Sequence, residues 1–303
     1  MRISVRTLAV LVLIIVAPAC GWAAPKLQQL TVQAEGHPLT LWAREVRKPR
    51  GVIVLLHGRT WSALPDFDLQ VPGEQRSVML LLNQQGYSAF ALDMRGYGKT
   101  PRDATGWWTP DRAALDVAYT LQWLAVEKKI VKPTLFGWSN GSLVAQLTAQ
   151  RNPQLISNLI LFGYPRNPAV RPPAQPVPET PVREANTRER AASDFISPAV
   201  TPQKLIDAYV VSALAADPVR VDIRATEQWD ELDPSKVVTP TLVMHGERDP
   251  FAPLEAQANL FTKLGTNDRR WVVLPGADHA GLIEDSQPAF IAAVVAFAGR
   301  PRY

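Results

Sequence analysis

The chain has 303 residues, with 32 Lys and Arg against 28 Asp and Glu, one cysteine, four histidines and 27 prolines. A hydrophobic share of 47% beside 20% charged residues excludes a disordered, collagen-like or multispanning membrane protein, and the length allows one large domain or two small ones. The formal charge of +4 falls to about +2 once Arg2 and Arg6 are set aside, too little to argue for nucleic acid as a partner.

The first two dozen residues do not read as part of the fold. Arg2 and Arg6 precede an apolar run over residues 8–19, closed by Ala17-Pro18-Ala19 and Gly21-Trp22-Ala23. This is the layout of a secretory signal peptide over residues 1–23, and Pro18 with the charge at one end argues against a buried N-terminal helix. The run is too short to cross a bilayer comfortably, so no stable membrane span is expected. The expected location is periplasmic or secreted. The lone cysteine, Cys20, leaves with the leader if cleavage follows Ala23, or carries a lipid anchor if processing occurs just before it.

Residues 29–33 and 39–46, separated by Glu35-Gly36-His37-Pro38, predict an opening hairpin. Short runs rich in Val, Ile, Leu or Phe follow at 52–56, 87–93, 134–137, 159–162, 241–244 and 271–274, each closed by Gly or a polar turn. Such runs suit strands buried on both faces of a parallel sheet. Amphipathic stretches at 73–85, 110–128, 142–151, 253–264 and 288–297 alternate with them, which is the α/β signature. One segment breaks the rhythm: prolines at 165, 168, 172, 173, 176, 178 and 181 exclude a helix or central strand there. The region 183–229 beyond it carries Phe195, Ile196, Leu205, Ile206, Tyr209, Val210 and Leu214 at helical spacing, unlike a linker. The expectation is a core over 27–165 and 231–300 with a cap or lid inserted at 166–230.

The candidate chemistry sits at strand ends. Phe136-Gly137-Trp138-Ser139-Asn140-Gly141-Ser142 follows an apolar strand and precedes a helical stretch, the context of a nucleophile elbow. The bland alternative is a serine in a glycine-bounded turn. A nucleophilic serine needs a base, and four histidines are available. His37 precedes a proline in the hairpin, while His57 and His245 end apolar runs, where holding adjacent loops is the expected role. His279, in Pro275-Gly276-Ala277-Asp278-His279, lies on a late loop at the carboxyl edge of the sheet and is the candidate base. Asp249 follows the penultimate strand and is the candidate acid. Glu247 is its rival, whereas Asp278 is poorly placed to reach the ring nitrogen of its own neighbour.

Leu56-His57-Gly58-Arg59, Leu92-Asp93-Met94-Arg95-Gly96-Tyr97-Gly98, the serine motif, His245-Gly246-Glu247-Arg248-Asp249 and Gly276-Ala277-Asp278-His279 together resemble the α/β-hydrolase superfamily, over roughly residues 30–297. The resemblance implies a mostly parallel eight-stranded sheet flanked by helices, with a helical cap inserted after the sixth strand. It also implies Ser139 as nucleophile, Asp249 as acid and His279 as base, in the chain order of that fold. By the same resemblance the backbone N–H of Asn140 pairs with that of Arg59 or Thr60 in an oxyanion hole. Asp93 and Arg95 match a structural loop of the family. Trp61 and Trp138 are candidates for the acyl pocket or for core packing, and Trp107 and Trp108 for a position under the cap.

The implied activity is a serine hydrolase cleaving carboxylic esters through an acyl-enzyme, with a small-molecule ester-like substrate. A serine at the elbow disfavours the haloalkane dehalogenases and epoxide hydrolases, which use Asp there. Carbon–carbon bond hydrolases and aminopeptidases of the same fold are the alternatives. A catalytically silent binding protein is the reading from another class, against which the three residues Ser139, Asp249 and His279 argue. The histidines are too scattered for a metal site, and Gly96-x-Gly98 lacks the third glycine of a dinucleotide loop. No cofactor and no metal are expected, and the oligomeric state is left open.

Overall fold

The computed structural model describes residues 23–171, 176–197 and 201–301. The expected leader, Cys20 included, therefore lies outside the described residues except for Ala23.

The apolar runs assemble into one eight-stranded sheet. Its strands are β1 (Gln28–Ala34), β2 (His37–Arg44), β3 (Gly51–Leu56), β4 (Tyr87–Asp93), β5 (Thr134–Trp138), β6 (Asn158–Phe162), β7 (Thr241–Gly246) and β8 (Arg269–Leu274). They lie in the order β1-β2-β4-β3-β5-β6-β7-β8. Pairing is antiparallel from β1 to β2 and from β2 to β4, and parallel throughout the rest. Every residue of β4, β5 and β6 is buried, which is why these runs are apolar without alternation.

The two-residue period of a strand divides each run between two cores. Phe136, Ile160 and Phe162 face one core, where Phe290 of α8 (Gln287–Ala298) meets the rings of Phe136 and Phe162 edge-on at 5.6 and 5.2 Å. Leu135, Leu159 and Leu161 face the other, under α3 (Pro110–Glu127) and α4 (Asn140–Arg151). The stretch predicted as helical from residue 73 begins instead as α2 (Val78–Gln84), capped by the Ser77 hydroxyl on the Leu80 N–H. Residues Gln70-Val71 and Glu74-Gln75 pair as a tight hairpin just before it. The helix expected from 142 starts two residues earlier, at Asn140. Helix α1 (Ala63–Phe67) was not foreseen, because five residues carry too little periodicity to register. No described helix is long and apolar enough to cross a membrane.

Between β6 and β7 the chain leaves the sheet and carries α5 (Arg188–Ala192) and α6 (Gln203–Ala216). Leu205, Tyr209 and Val210 bury one face of α6. Polar ties reach from this segment into the sheet's loops. Asp222-Ile223 pairs with Trp107-Trp108, Asp217 accepts the N–H groups of Ser62 and Gly98 (2.8 Å each), and Asp278 accepts those of Ile196 and Ser197 (2.9 and 2.6 Å). Helix α7 (Leu254–Lys263) then links β7 to β8.

Candidate active site

Ser139 is the single residue between β5 and α4, and its backbone sits at φ 54°, ψ −123°. A non-glycine residue there costs on the order of 1–3 kcal/mol, so the surroundings must hold it. Its N–H donates to the Phe162 carbonyl of β6 (2.9 Å), and its carbonyl accepts from both the N–H and the hydroxyl of Ser142 (2.9 and 2.5 Å). Ser142 is thereby occupied in bracing the turn. The flanking glycines are required by contact: a Cβ on Gly137 would lie 2.2 Å from the Gly141 carbonyl oxygen, and one on Gly141 2.4 Å from those of Leu56 and His57. Here β3, β5 and α4 approach too closely for a Cβ at either glycine, and Ser139 lines the cavity above them.

His279 Nδ1 lies 2.8 Å from Asp249 Oδ2. The other carboxylate oxygen accepts the N–H groups of Phe251 (2.9 Å) and Ala252 (3.2 Å), so the acid's orientation is set by backbone. Phe251 packs edge-on against the imidazole with centroids 5.0 Å apart, and Trp138 flanks it at 5.5 Å while donating its indole N–H to the His279 carbonyl (2.9 Å). Pairing with a carboxylate assigns the Nδ1 position its proton, which leaves Nε2 as the acceptor. No hydrogen bond from the Ser139 hydroxyl to that ring is formed among the described residues. Glu247 is exposed and accepts the Gly276 N–H at 2.8 Å, well occupied on the loop's outer side. Asp278 is buried against Glu284, whose carboxyl is pushed up to about 8 by burial and by the Asp278 charge.

The loop after β3 is held from several sides. The Met94 N–H donates to His57 Nε2 (3.1 Å), so that nitrogen is unprotonated and Nδ1–H donates to the Gly58 carbonyl (2.9 Å). In a trans peptide the carbonyl of one residue and the N–H of the next point in opposite directions. Anchoring the Gly58 carbonyl to His57 therefore turns the Arg59 N–H the other way. Further ties run from the Gly58 N–H to Asp66 (3.2 Å) and from the Tyr97 hydroxyl to the Arg59 carbonyl. The N–H groups of Arg59 and of Asn140, the first residue of α4, have no acceptor among the described residues, as expected at a helix start for the latter.

Burial lowers the pKa of His57 from 6.5 to about 4. The unfolded chain then takes up a proton first as pH falls, so the stability this histidine contributes is complete above about pH 6.5 and is lost progressively toward pH 4. The full loss is about 3 kcal/mol. Thermal unfolding of the wild type and of His57→Gln across that window should show their stability gap narrowing as pH drops. A gap independent of pH would contradict the neutral, buried assignment.

A cavity of about 880 Å³ opens over these groups. Ser139, His279, Asn140, Arg59, Trp61 and Trp138 all line it, and the segment between β6 and β7 supplies the facing wall with Pro165, Asp194, Arg220 and Trp229 among others. Asp249 lies behind His279, buried away from the cavity. Trp61 and Trp138 are each 2% exposed and belong to the core, the packing role expected for them, while both also line the cavity. Asp66, Asp194, Arg220 and Phe251 were not singled out from sequence. Phe251 lies two residues from Asp249, a signal that could have been followed. Asp194 and Arg220 lie in irregular chain where no periodicity marks a facing side. Burial lifts the Asp194 carboxyl to about 6.

A family model described as serine aminopeptidase, S33, matches residues 47–286. The chain is 26% identical over 217 residues to mouse serine hydrolase BPHL, covering 66% of this chain and 64% of that protein, just under two thirds of its length. It is also 26% identical over 242 residues to the pimeloyl-[acyl-carrier protein] methyl ester esterase of Aeromonas hydrophila, covering 70% and 85% of the two chains. Among solved structures, a serine hydrolase involved in carbazole degradation superposes with a TM-score of 0.65 at 20% identity, over 90% of this chain and 98% of the other. An esterase from Exiguobacterium antarcticum superposes at 0.60 and 20% identity, over 90% and 100%. These likenesses establish a shared fold.

Proposed function

The chain belongs to the serine aminopeptidase S33 family of α/β-hydrolases, and from that premise we propose that it cleaves carboxylic esters through an acyl-enzyme on Ser139. The observation that carries the reading is the imidazole of His279, pinned at 2.8 Å by Asp249 and open on its other side to the cavity that Ser139 lines.

In the first half-reaction, His279 Nε2 takes the Ser139 proton as the oxygen attacks the ester carbonyl. The N–H groups of Arg59 and Asn140 receive the developing oxyanion, and two preorganised donors matter there because losing one typically costs about 10²–10³ in rate. Collapse breaks the bond to the alkoxy oxygen, which leaves as the alcohol with the proton from His279. Water then gives a proton to His279 and adds to the acyl carbon. Collapse of that second intermediate releases the acid and returns the proton to Ser139. Asp249 stays ionised throughout, orienting the ring and stabilising its charged form. The chain between β6 and β7 serves as the cap that shuts this chemistry away from bulk water.

The test is covalent. A fluorophosphonate should label the folded protein and the adduct should map to Ser139, while short-chain esters should be turned over faster than aminoacyl amides or vinylogous diketones. Absence of labelling would leave a binding protein of the same fold. Preference for amides or diketones would move the activity to the aminopeptidase or carbon–carbon bond hydrolase chemistry.

A further inference from the structure

The cavity wall contains two guanidinium groups that the proposed chemistry does not use. Arg59 offers only its backbone N–H to the oxyanion; the residue lines the cavity and is exposed, and its side chain has no ion-pair partner among the described residues. Arg220 comes from the segment between β6 and β7. Its backbone is fixed at both ends, the N–H donating to the Glu184 carbonyl (2.7 Å) and the carbonyl accepting from Arg102 (2.9 Å). Its side chain is only 30% exposed, and its one acidic contact is a long one, 3.7 Å to a Glu184 that is itself closer to Arg190 at 2.9 Å.

The acids in the same cavity are mostly committed elsewhere. Asp230 is clamped by Arg166 and Arg171, and Asp66 accepts from Tyr209 and Gly58, with burial pushing its carboxyl well up toward the neutral form. Asp194 lies toward His279 and Trp61, and Glu227 is exposed with no cation within pairing distance among the described residues. Burial, followed by repulsion from Arg59 and Arg190, holds the Arg220 guanidinium below its usual range. Arg59 is exposed and Arg220 half-buried, both line the one cavity, and a ligand anion held by both would relieve their mutual repulsion.

We infer that Arg59 and Arg220 form an anion subsite beside the oxyanion hole, and that the preferred substrate is a half-ester of a short dicarboxylic acid. Its free carboxylate is held by the two guanidiniums while its ester carbonyl meets Ser139. Because the Arg59 amide and side chain start from one residue, the carboxylate and the reacting carbonyl are separated by no more than a few methylenes. The inference rests on the ester-hydrolase reading for its chemistry, while the binding it asserts can be measured without turnover.

Hydrolysis of monomethyl glutarate should be compared with that of neutral methyl pentanoate by following acid release. Charge-assisted hydrogen bonds of this kind predict a kcat/KM ratio of about 10–100 in favour of the anion. Arg220→Gln should lower that ratio at least about tenfold and Arg220→Glu further, and added salt should lower it in the wild type. In Ser139→Ala, calorimetric binding of glutarate should be detectable and should be lost on adding Arg220→Gln. A wild-type ratio of one or less, or a ratio unchanged in Arg220→Gln, overturns the subsite even if fluorophosphonate labelling stands. Glutarate binding that depends on Arg220 in a protein that neither labels nor turns over ester upholds the subsite and removes the esterase reading.

Discussion

Ser139→Ala should abolish fluorophosphonate labelling and lower ester turnover by about 10⁴–10⁶-fold, leaving the modest acceleration that oxyanion donors and binding alone provide. The loss is large because the neighbouring serine cannot take over: Ser142 lies three residues on, but its hydroxyl is spent on the Ser139 carbonyl at 2.5 Å. The same position yields a second, opposite readout in stability. At φ 54° an alanine is as strained as the serine, whereas glycine is not. Relief of on the order of 1–3 kcal/mol outweighs the roughly 0.5–1 kcal/mol of extra chain entropy that glycine must lose on folding. Ser139→Gly should therefore be as inactive as Ser139→Ala and about 1 kcal/mol more stable. Equal unfolding midpoints for the two variants would mean that the turn stores no strain. Retained labelling in either would place the nucleophile elsewhere.

Much of this arrangement was legible in the sequence because its causes are local. The runs that became β4, β5 and β6 are apolar without alternation since both their faces are covered, and the elbow glycines are fixed because a Cβ at either would lie within 2.5 Å of a neighbouring carbonyl oxygen. Chain order alone brought Asp249 and His279 to one edge of the sheet, where they meet. What was not legible depends on contacts between distant segments. Nothing around Tyr209 marks it as the donor to Asp66, 143 residues away, and nothing around Arg220 marks it as lining the same cavity as Arg59. The His57-Gly58 pair was readable as a turn. Its effect on the direction of the Arg59 N–H required the Met94 contact that settles the tautomer.

Asp249→Asn should lower kcat by about 10⁴-fold with the fold intact, whereas Glu247→Gln should stay within about twofold of the wild type. The difference follows from which atoms already have partners. Asp249 Oδ1 accepts two backbone N–H groups, from Phe251 and Ala252, and Oδ2 faces His279 Nδ1 alone. An asparagine keeps its carbonyl oxygen where two donors need it, which turns its NH₂ toward the ring. Nδ1 must then accept, the imidazole proton moves to Nε2, and the atom that should take the Ser139 proton is already occupied. Stability changes little because every backbone donor keeps an acceptor. Asp249→Ala differs on that point: it leaves two buried N–H groups unpaired, at about 1–3 kcal/mol each, so it should lose both activity and stability. Glu247 is exposed and accepts one N–H from Gly276, a bond that a glutamine carbonyl reproduces. A profile in which Glu247→Gln is crippled while Asp249→Asn retains a tenth or more of the rate would transfer the acid's role to Glu247, and would require the loop after β7 to rearrange when substrate binds.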